Sequence, residues 1–281
     1  MKPAPFAYKK VRALDEAIAL MGENPDARLL AGGQSLMATL NMRLSAPNLL
    51  IDINGIGGLD GIARNGETIE IGALTRHAQA ERSETIAQYA PLIARAMPFI
   101  GHAAVRNRGT LGGSIAFADP AAELPACLLA LDGEVTAQGP KGRRSIKAGD
   151  YFQGLYETAL GPQEILTAIR VPAADGNTRT GFAELARRHG DYAMVGLAAS
   201  ARADGKGLKN VRLAYFGVGN TPLRASKSEA ALAAGDIDAA VAALDLDLDP
   251  HDDIQASAAV KKHLAGVLLR RVAAQLMEQR A

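Results

Sequence analysis

The chain has 281 residues, of which 48% are hydrophobic and 22% charged, with a net charge of +1. That length suits about two domains, and the near-neutral balance gives no field strong enough to gather nucleic acid or anionic lipid. Aromatic residues are 4% with no tryptophan, which argues against base-stacking platforms. The single cysteine, Cys127, excludes an internal disulfide and any iron–sulfur cluster or zinc finger held by this chain alone.

The start, Met1-Lys2-Pro3-Ala4-Pro5-Phe6, leads into no signal-peptide core, and no stretch reaches membrane-spanning length, so no membrane insertion and a cytoplasmic location are expected. Val11 to Met21 has helical periodicity, with Leu14, Ile18 and Met21 on one face. Asn24-Pro25-Asp26 is a turn, and Arg28-Leu29-Leu30-Ala31 reads as a short strand running into Gly32-Gly33. A helix from Leu36 to Leu44 and a buried strand from Leu49 to Ile53 complete a β–glycine turn–α–β unit over roughly the first 55 residues.

The pattern then changes. Residues 61–64 and 68–72 read as a hairpin around Asn65-Gly66. Segments 75–82 and 91–100 look helical, and a glycine-rich stretch follows at 109–113. Leu124 to Leu131 reads as a short apolar helix, with strands at 135–137 and 165–171. Cys127 lies in this apolar run and reads as buried and structural. Ala173-Ala174-Asp175-Gly176-Asn177 is the strongest boundary signal. Beyond it, 192–203 and 208–218 read as a long antiparallel hairpin about the turn 204–207. Alanine-rich helices are expected at 226–234, 236–244 and 253–279, the last with Leu264, Val267, Leu268, Val272 and Leu276 on one face.

Two glycine-rich segments carry the functional signal. Ala31-Gly32-Gly33-Gln34-Ser35 links a strand to a helix. Glycine permits positive φ and close approach of a ligand. The helix start that follows offers unpaired N–H groups and a positive dipole end. A tight turn with no ligand explains this segment equally well. The second, Arg106-Asn107-Arg108-Gly109-Thr110-Leu111-Gly112-Gly113-Ser114, repeats the adjacent glycines and hydroxyls. Turn capping would account for Thr110 and Ser114, but not for the repetition, and the pair together could clamp a pyrophosphate. Neither segment is G-x-G-x-x-G or a P-loop, which disfavours a nicotinamide-binding Rossmann domain and a P-loop nucleotidase. Asp119-Pro120 reads as a helix N-cap followed by a first-turn proline. Glu123 is read either as an acceptor for ribose hydroxyls or as a first-turn carboxylate on the helix dipole.

With these residues in hand, the chain resembles the medium, flavin-binding subunit of the xanthine dehydrogenase and carbon monoxide dehydrogenase family. The resemblance rests on Ala31-Gly32-Gly33-Gln34-Ser35-Leu36, on Pro47 with Ile51-Asp52, and on Arg106-Asn107-x-Gly109-Thr110-x-Gly112-Gly113. It continues through Ala118-Asp119-Pro120-Ala121-Ala122-Glu123-Leu124-Pro125 and Arg187-Arg188-His189-Gly190-Asp191-Tyr192-Ala193, covering nearly the whole chain. It implies an α+β fold: a two-lobed FAD-binding domain of the vanillyl-alcohol-oxidase type over 1–176, with lobe one about 1–55 and lobe two about 56–176. A smaller α+β C-terminal domain of antiparallel sheet plus helices would follow over 177–281.

By the same resemblance, residues 31–35 and 110–114 cradle the FAD pyrophosphate and Glu123 contacts the adenosine half. Ile100 and Leu166 match apolar positions near the flavin, and Tyr192 an aromatic position beside the isoalloxazine. Ser114 stands where many members have Asn, and Ala183 or Glu184 where relatives often carry Lys. Some relatives in the wider superfamily attach flavin through a His in the first turn; Gln34 stands there and cannot form that bond, so FAD is expected to be non-covalent. The histidines read as surface or helix residues, with His102 near the second turn the one of interest. The implied role is electron transfer. A molybdenum cofactor on a large subunit would oxidise substrate, and two [2Fe-2S] clusters on a small subunit would pass electrons to FAD here, in a dimer of heterotrimers. A self-contained FAD-dependent oxidase or reductase is the alternative.

Overall fold

The computed structural model describes residues 2–278. Lobe one is a small parallel sheet. β1 (Ala7–Lys10), β2 (Arg28–Leu30) and β3 (Leu49–Asp52) lie in the order β1-β3-β2, with α1 (Leu14–Glu23) and α2 (Leu36–Asn41) as crossovers. Both pairings are parallel. The central strand, Leu-Leu-Ile-Asp, is buried at every position, as a strand covered on both faces must be. Every residue of β1 is exposed; it is an edge strand carrying Lys9 and Lys10, which blunt the edge against further pairing. The absence of an apolar face is why the sequence gives no strand signal there.

Lobe two is a five-stranded antiparallel sheet of β4 (Ile62–Asn65), β5 (Thr68–Gly72), β6 (Glu134–Gly139), β7 (Gly142–Lys147) and β10 (Ile165–Pro172), in the order β4-β5-β10-β6-β7. Between β7 and β10 lie α9 (Ala148–Tyr151) and the small hairpin of β8 (Phe152–Gly154) and β9 (Glu157–Thr158). Six short helices separate β5 from β6: α3 (His77–Glu81), α4 (Glu84–Tyr89), α5 (Pro91–Ala96), α6 (Ala103–Arg106), α7 (Leu111–Phe117) and α8 (Glu123–Ala130). All eight residues of α8 are buried, the mark of a helix covered on every side.

The C-terminal part is an antiparallel meander, β11 (Thr178–Leu185), β12 (Val195–Asp204), β13 (Gly207–Phe216) and β14 (Leu223–Arg224). Its helices are α10 (Ser226–Ala233), α11 (Ile237–Asp247) and α12 (Ala258–Glu278). Strand periodicity sorts its two faces. Leu197, Ala199, Leu213 and Tyr215 pack with Leu268, Leu269, Val272 and Leu276 of α12. Ala198, Ala214 and Phe216 join the core of lobe two instead.

Several expectations are corrected. The glycine stretch at 109–113 is not all loop, because α7 begins at Leu111. Asp119 does not cap the following helix, whose N-cap is Ala122; its Oδ1 accepts the Ala121 N–H at 2.9 Å, an Asx turn two residues long. The last helix begins at Ala258, since Asp252 and Asp253 bind the backbone N–H groups of 255, 256 and 258 in a turn; its expected end at 279 lies outside the described residues. Strand β12 begins at Val195, leaving Tyr192 in the irregular segment before it.

Candidate functional site

The first glycine turn leaves β2 at Ala31 and enters α2 at Leu36. Gly33 has φ +72°, a conformation that costs a side-chain-bearing residue about 1 kcal/mol or more. The backbone N–H groups of 32–36 donate to no acceptor among the described residues, so the turn presents a run of unspent donors, the arrangement that attracts anionic oxygens. Gln34 is exposed and bends its Nε2 back to the Gly32 carbonyl at 3.3 Å.

The second turn is held differently. The Gly112 and Leu111 N–H groups donate to the carbonyls of Ala73 and Thr75 at 2.9 and 3.0 Å, and the His77 N–H donates to Gly109 at 3.0 Å. Thr110, buried, caps α7 by accepting the Gly113 N–H at 3.0 Å. Most donors of 111–114 are thus spent inside the protein, and capping accounts for the Thr110 hydroxyl. His77 is helical as expected but only 4% exposed, and burial pushes its imidazole down to about 4, so it is neutral under Gly109.

The two turns meet. A Cβ on Gly32 would come within 2.8 Å of the Gly109 Cα; only glycine allows the backbones to touch. Beside them lies a cluster of carboxyl and phenol groups. Tyr156, which carried no signal in the sequence, holds φ +58° in the β8–β9 turn. It stacks edge-on to Phe117 at 5.1 Å and donates to Asp119 Oδ2 at 3.3 Å. Tyr192 is half-exposed; burial of its phenol, then the charges of Asp119, Tyr156 and Glu123, push it up to about 12, with the Ser35 hydroxyl opposing. Ser35, Asp119, Glu123, Tyr156 and Tyr192 therefore share one neighbourhood. Burial pushes the Glu123 carboxyl up to about 7, with Asp119 adding to the shift. Glu184 is pushed up to about 8, by burial first and Glu123 second, and its Oε2 is buried without a hydrogen-bond partner.

Ile100 and Leu166 are 7% and 5% exposed, inside the lobe-two core rather than on an open wall. His102 is exposed beside Gly190, where a Cβ would lie 2.9 Å from its ring, and His189 stacks on Phe99 at 6.3 Å; the 187–193 segment thereby rests on residues 99–102. A separate surface cleft of about 520 Å³, lined by Ile18, Gly22, Gly139 and Gln163, contains none of these groups.

Residues 4–174 match the family model described as FAD binding domain in molybdopterin dehydrogenase, and residues 180–276 match CO dehydrogenase flavoprotein C-terminal domain. The chain belongs to the FAD-binding medium subunits of the molybdenum hydroxylases. It is 38% identical to the 6-hydroxypseudooxynicotine dehydrogenase complex subunit alpha of Paenarthrobacter nicotinovorans, over 99% of this chain and 97% of that one. It is 36% identical to the carbon monoxide dehydrogenase medium chain of Hydrogenophaga pseudoflava, over 96% of each. The structure of carbon monoxide dehydrogenase from that organism aligns over 100% of both chains with a TM-score of 0.97. Quinoline 2-oxidoreductase from Pseudomonas putida 86 aligns over 99% of both with a TM-score of 0.94 and 32% identity.

This medium subunit is thus an oxidoreductase subunit with an FAD-binding domain. Its residues fit the cofactor: the unspent donors of 32–36 suit a pyrophosphate, and the close approach of Gly32 to Gly109 brings the two glycine turns together. No helix among the described residues is long and apolar enough to cross a membrane.

Proposed function

We propose that the chain is the electron-relay subunit of a three-subunit molybdenum hydroxylase acting in the cytoplasm, assembled as a dimer of heterotrimers. The observation that carries this reading is the pair of stacked glycine turns in a chain whose one cysteine, Cys127, is fully buried. Ala31, Gly32, Gly33, Gln34 and Ser35 would hold the pyrophosphate through backbone N–H groups. Thr110, Leu111, Gly112, Gly113 and Ser114 would close the other side by shape. Glu123 would take hydroxyls of the adenosine half, Tyr192 would lie against the ring system, and Ile100 and Leu166 would form the apolar floor behind it. Bound non-covalently, FAD supplies a carrier that takes electrons from iron–sulfur clusters on a small subunit and releases them to an external acceptor. The cluster ligands belong to that partner, because one cysteine cannot supply the four that a two-iron cluster needs.

The relatives' names span carbon monoxide and nicotine-derived compounds at similar identity, in keeping with a substrate pocket on the large subunit. The test is reconstitution. Co-expressed with a cluster-bearing small subunit and a molybdenum subunit, the chain should show flavin bleaching on addition of a heterocycle, an aldehyde or carbon monoxide, and only when all three are present. Alone it should carry FAD released by acid, without molybdenum or iron. Bleaching of the lone chain by such a substrate would make it a self-contained oxidase.

A further inference from the structure

Between the two glycine turns runs a chain of side-chain hydrogen bonds that neither turn contains. Asp52, the last residue of β3, accepts from Asn54 twice, from its N–H at 2.9 Å and from Nδ2 at 2.7 Å. Burial pushes the Asp52 carboxyl up, but hydrogen bonds from Tyr8 and Asn54 outweigh it and hold the group below the usual carboxylate range, so it stays ionised. Asn54, so oriented, donates Nδ2 to the Ala31 carbonyl at 2.8 Å, at the mouth of the first turn. Its Oδ1 accepts Arg76 Nη2 at 2.6 Å. The other arm of the same guanidinium, Nη1, donates to the Arg108 carbonyl, immediately before Gly109. Arg76 stands opposite Thr110 in the antiparallel bridge that suspends the second turn.

One planar fork therefore ties lobe one to lobe two at the point where Gly32 meets Gly109. We propose that Arg76 and Asn54 form a latch that fixes the spacing of the two glycine turns and thereby sets the affinity of the chain for FAD. Both are positioning residues. Asn54 reads the first turn through the Ala31 carbonyl, and Arg76 reads the second through the Arg108 carbonyl. A lysine could reach one acceptor but not both, because the fork geometry belongs to guanidinium. Pre-set spacing raises affinity by removing the fraction of molecules in which the turns are apart.

The inference rests on the reading that the two turns seat the pyrophosphate, and the experiment separates the two. FAD dissociation constants of the full chain are measured by flavin fluorescence for Arg76→Met, Asn54→Ala and the double variant, with Arg76→Lys as the variant retained should Arg76→Met not fold. Each single change should raise the constant about tenfold, the scale of one charge-assisted hydrogen bond. The double variant should lose about tenfold too, not a hundredfold, because either change opens the same latch. Arg76→Lys should recover little of the loss. A role in stability alone would lower the melting point of the FAD-free chain without this non-additive pattern in FAD affinity. Constants within about twofold of wild type for the singles, or multiplicative losses in the double, would overturn the latch. Gly33→Val is the control for the underlying reading: if it keeps full FAD affinity, the first turn is not the seat and the latch falls with it.

Discussion

Replacing Gly113 by alanine separates a ligand role of the second turn from a folding role. Gly113 occupies the third position of α7 and its φ is not positive, so the conformation itself tolerates a side chain. Alanine in a helix gains about 1 kcal/mol over glycine. Against that, the new Cβ would lie 2.6 Å from Thr110 Oγ1, with no other heavy atom but Thr110 Cβ within 4 Å. The hydroxyl must swing aside and surrender its cap bond to the Gly113 N–H, at a cost of about 1 kcal/mol. The two effects nearly cancel, so urea melts of the FAD-free chain should agree with wild type to within about 1 kcal/mol. On the proposed reading, Gly113 is half-buried on the side where the cofactor's diphosphate would settle, and the added methyl would crowd it. FAD affinity, titrated by fluorescence, should fall at least about tenfold, equivalent to roughly 1.4 kcal/mol, and Gly113→Val, bulkier and β-branched, should abolish binding. Wild-type affinity in Gly113→Ala, at matched stability, would refute the assignment of this turn to the cofactor.

Two further outcomes follow from the carboxyl and phenol cluster. Glu184 and Glu123 have raised values in the folded chain, so the stability they contribute is present in full below the unfolded carboxyl range near pH 4 and is lost as pH rises through about 7 to 8. Glu184→Gln should therefore be more stable than wild type at pH 8.5–9 (roughly; set above the shifted value) and lose that advantage towards pH 5, read from melting temperatures of the FAD-free chain; a gap that does not change with pH would contradict a neutral Glu184. Tyr192→Ala should retain most bound FAD, since the side chain is half-exposed, yet shift the flavin reduction potential or oxygen reactivity; identical potentials would reduce Tyr192 to a packing residue.

Much of the frame was legible because burial leaves periodic traces. The apolar runs of β3, β10 and β12 and the stripe of α12 follow directly from the sequence. What escaped was set by tertiary contacts. β1 has no apolar face, β11 has only Phe182 and Leu185 as large apolar residues, and α4, α6 and α7 are each too brief for a 3.6-residue period to repeat. At the site, the glycines announced both turns, but nothing local to Arg76 or Asn54 reveals that they meet across 22 residues. A tyrosine at φ +58° is likewise contrary to its own propensity, and Tyr156 is held there by Phe117 and Asp119. Asp119-Pro120 imitates a helix cap so closely in sequence that only the three-dimensional position of Ala122 decides otherwise.

The core of lobe two runs without interruption into the C-terminal sheet. Phe182, Ala198, Ala214 and Phe216 pack in the same cluster as Leu124, Leu128 and Leu131, and the Ser200 hydroxyl donates to the Ala130 carbonyl at 2.6 Å. A polypeptide cut at residue 176 would leave α8 with one flank stripped to water, so the shorter piece should collect in aggregates and fall to proteases rather than act as a minimal flavin carrier. The parallel sheet is anchored in the same manner, since Val11, Ile18 and Ile51 pack in one buried cluster with Leu74 and Ile165 of lobe two, so neither seam is free to open as a hinge.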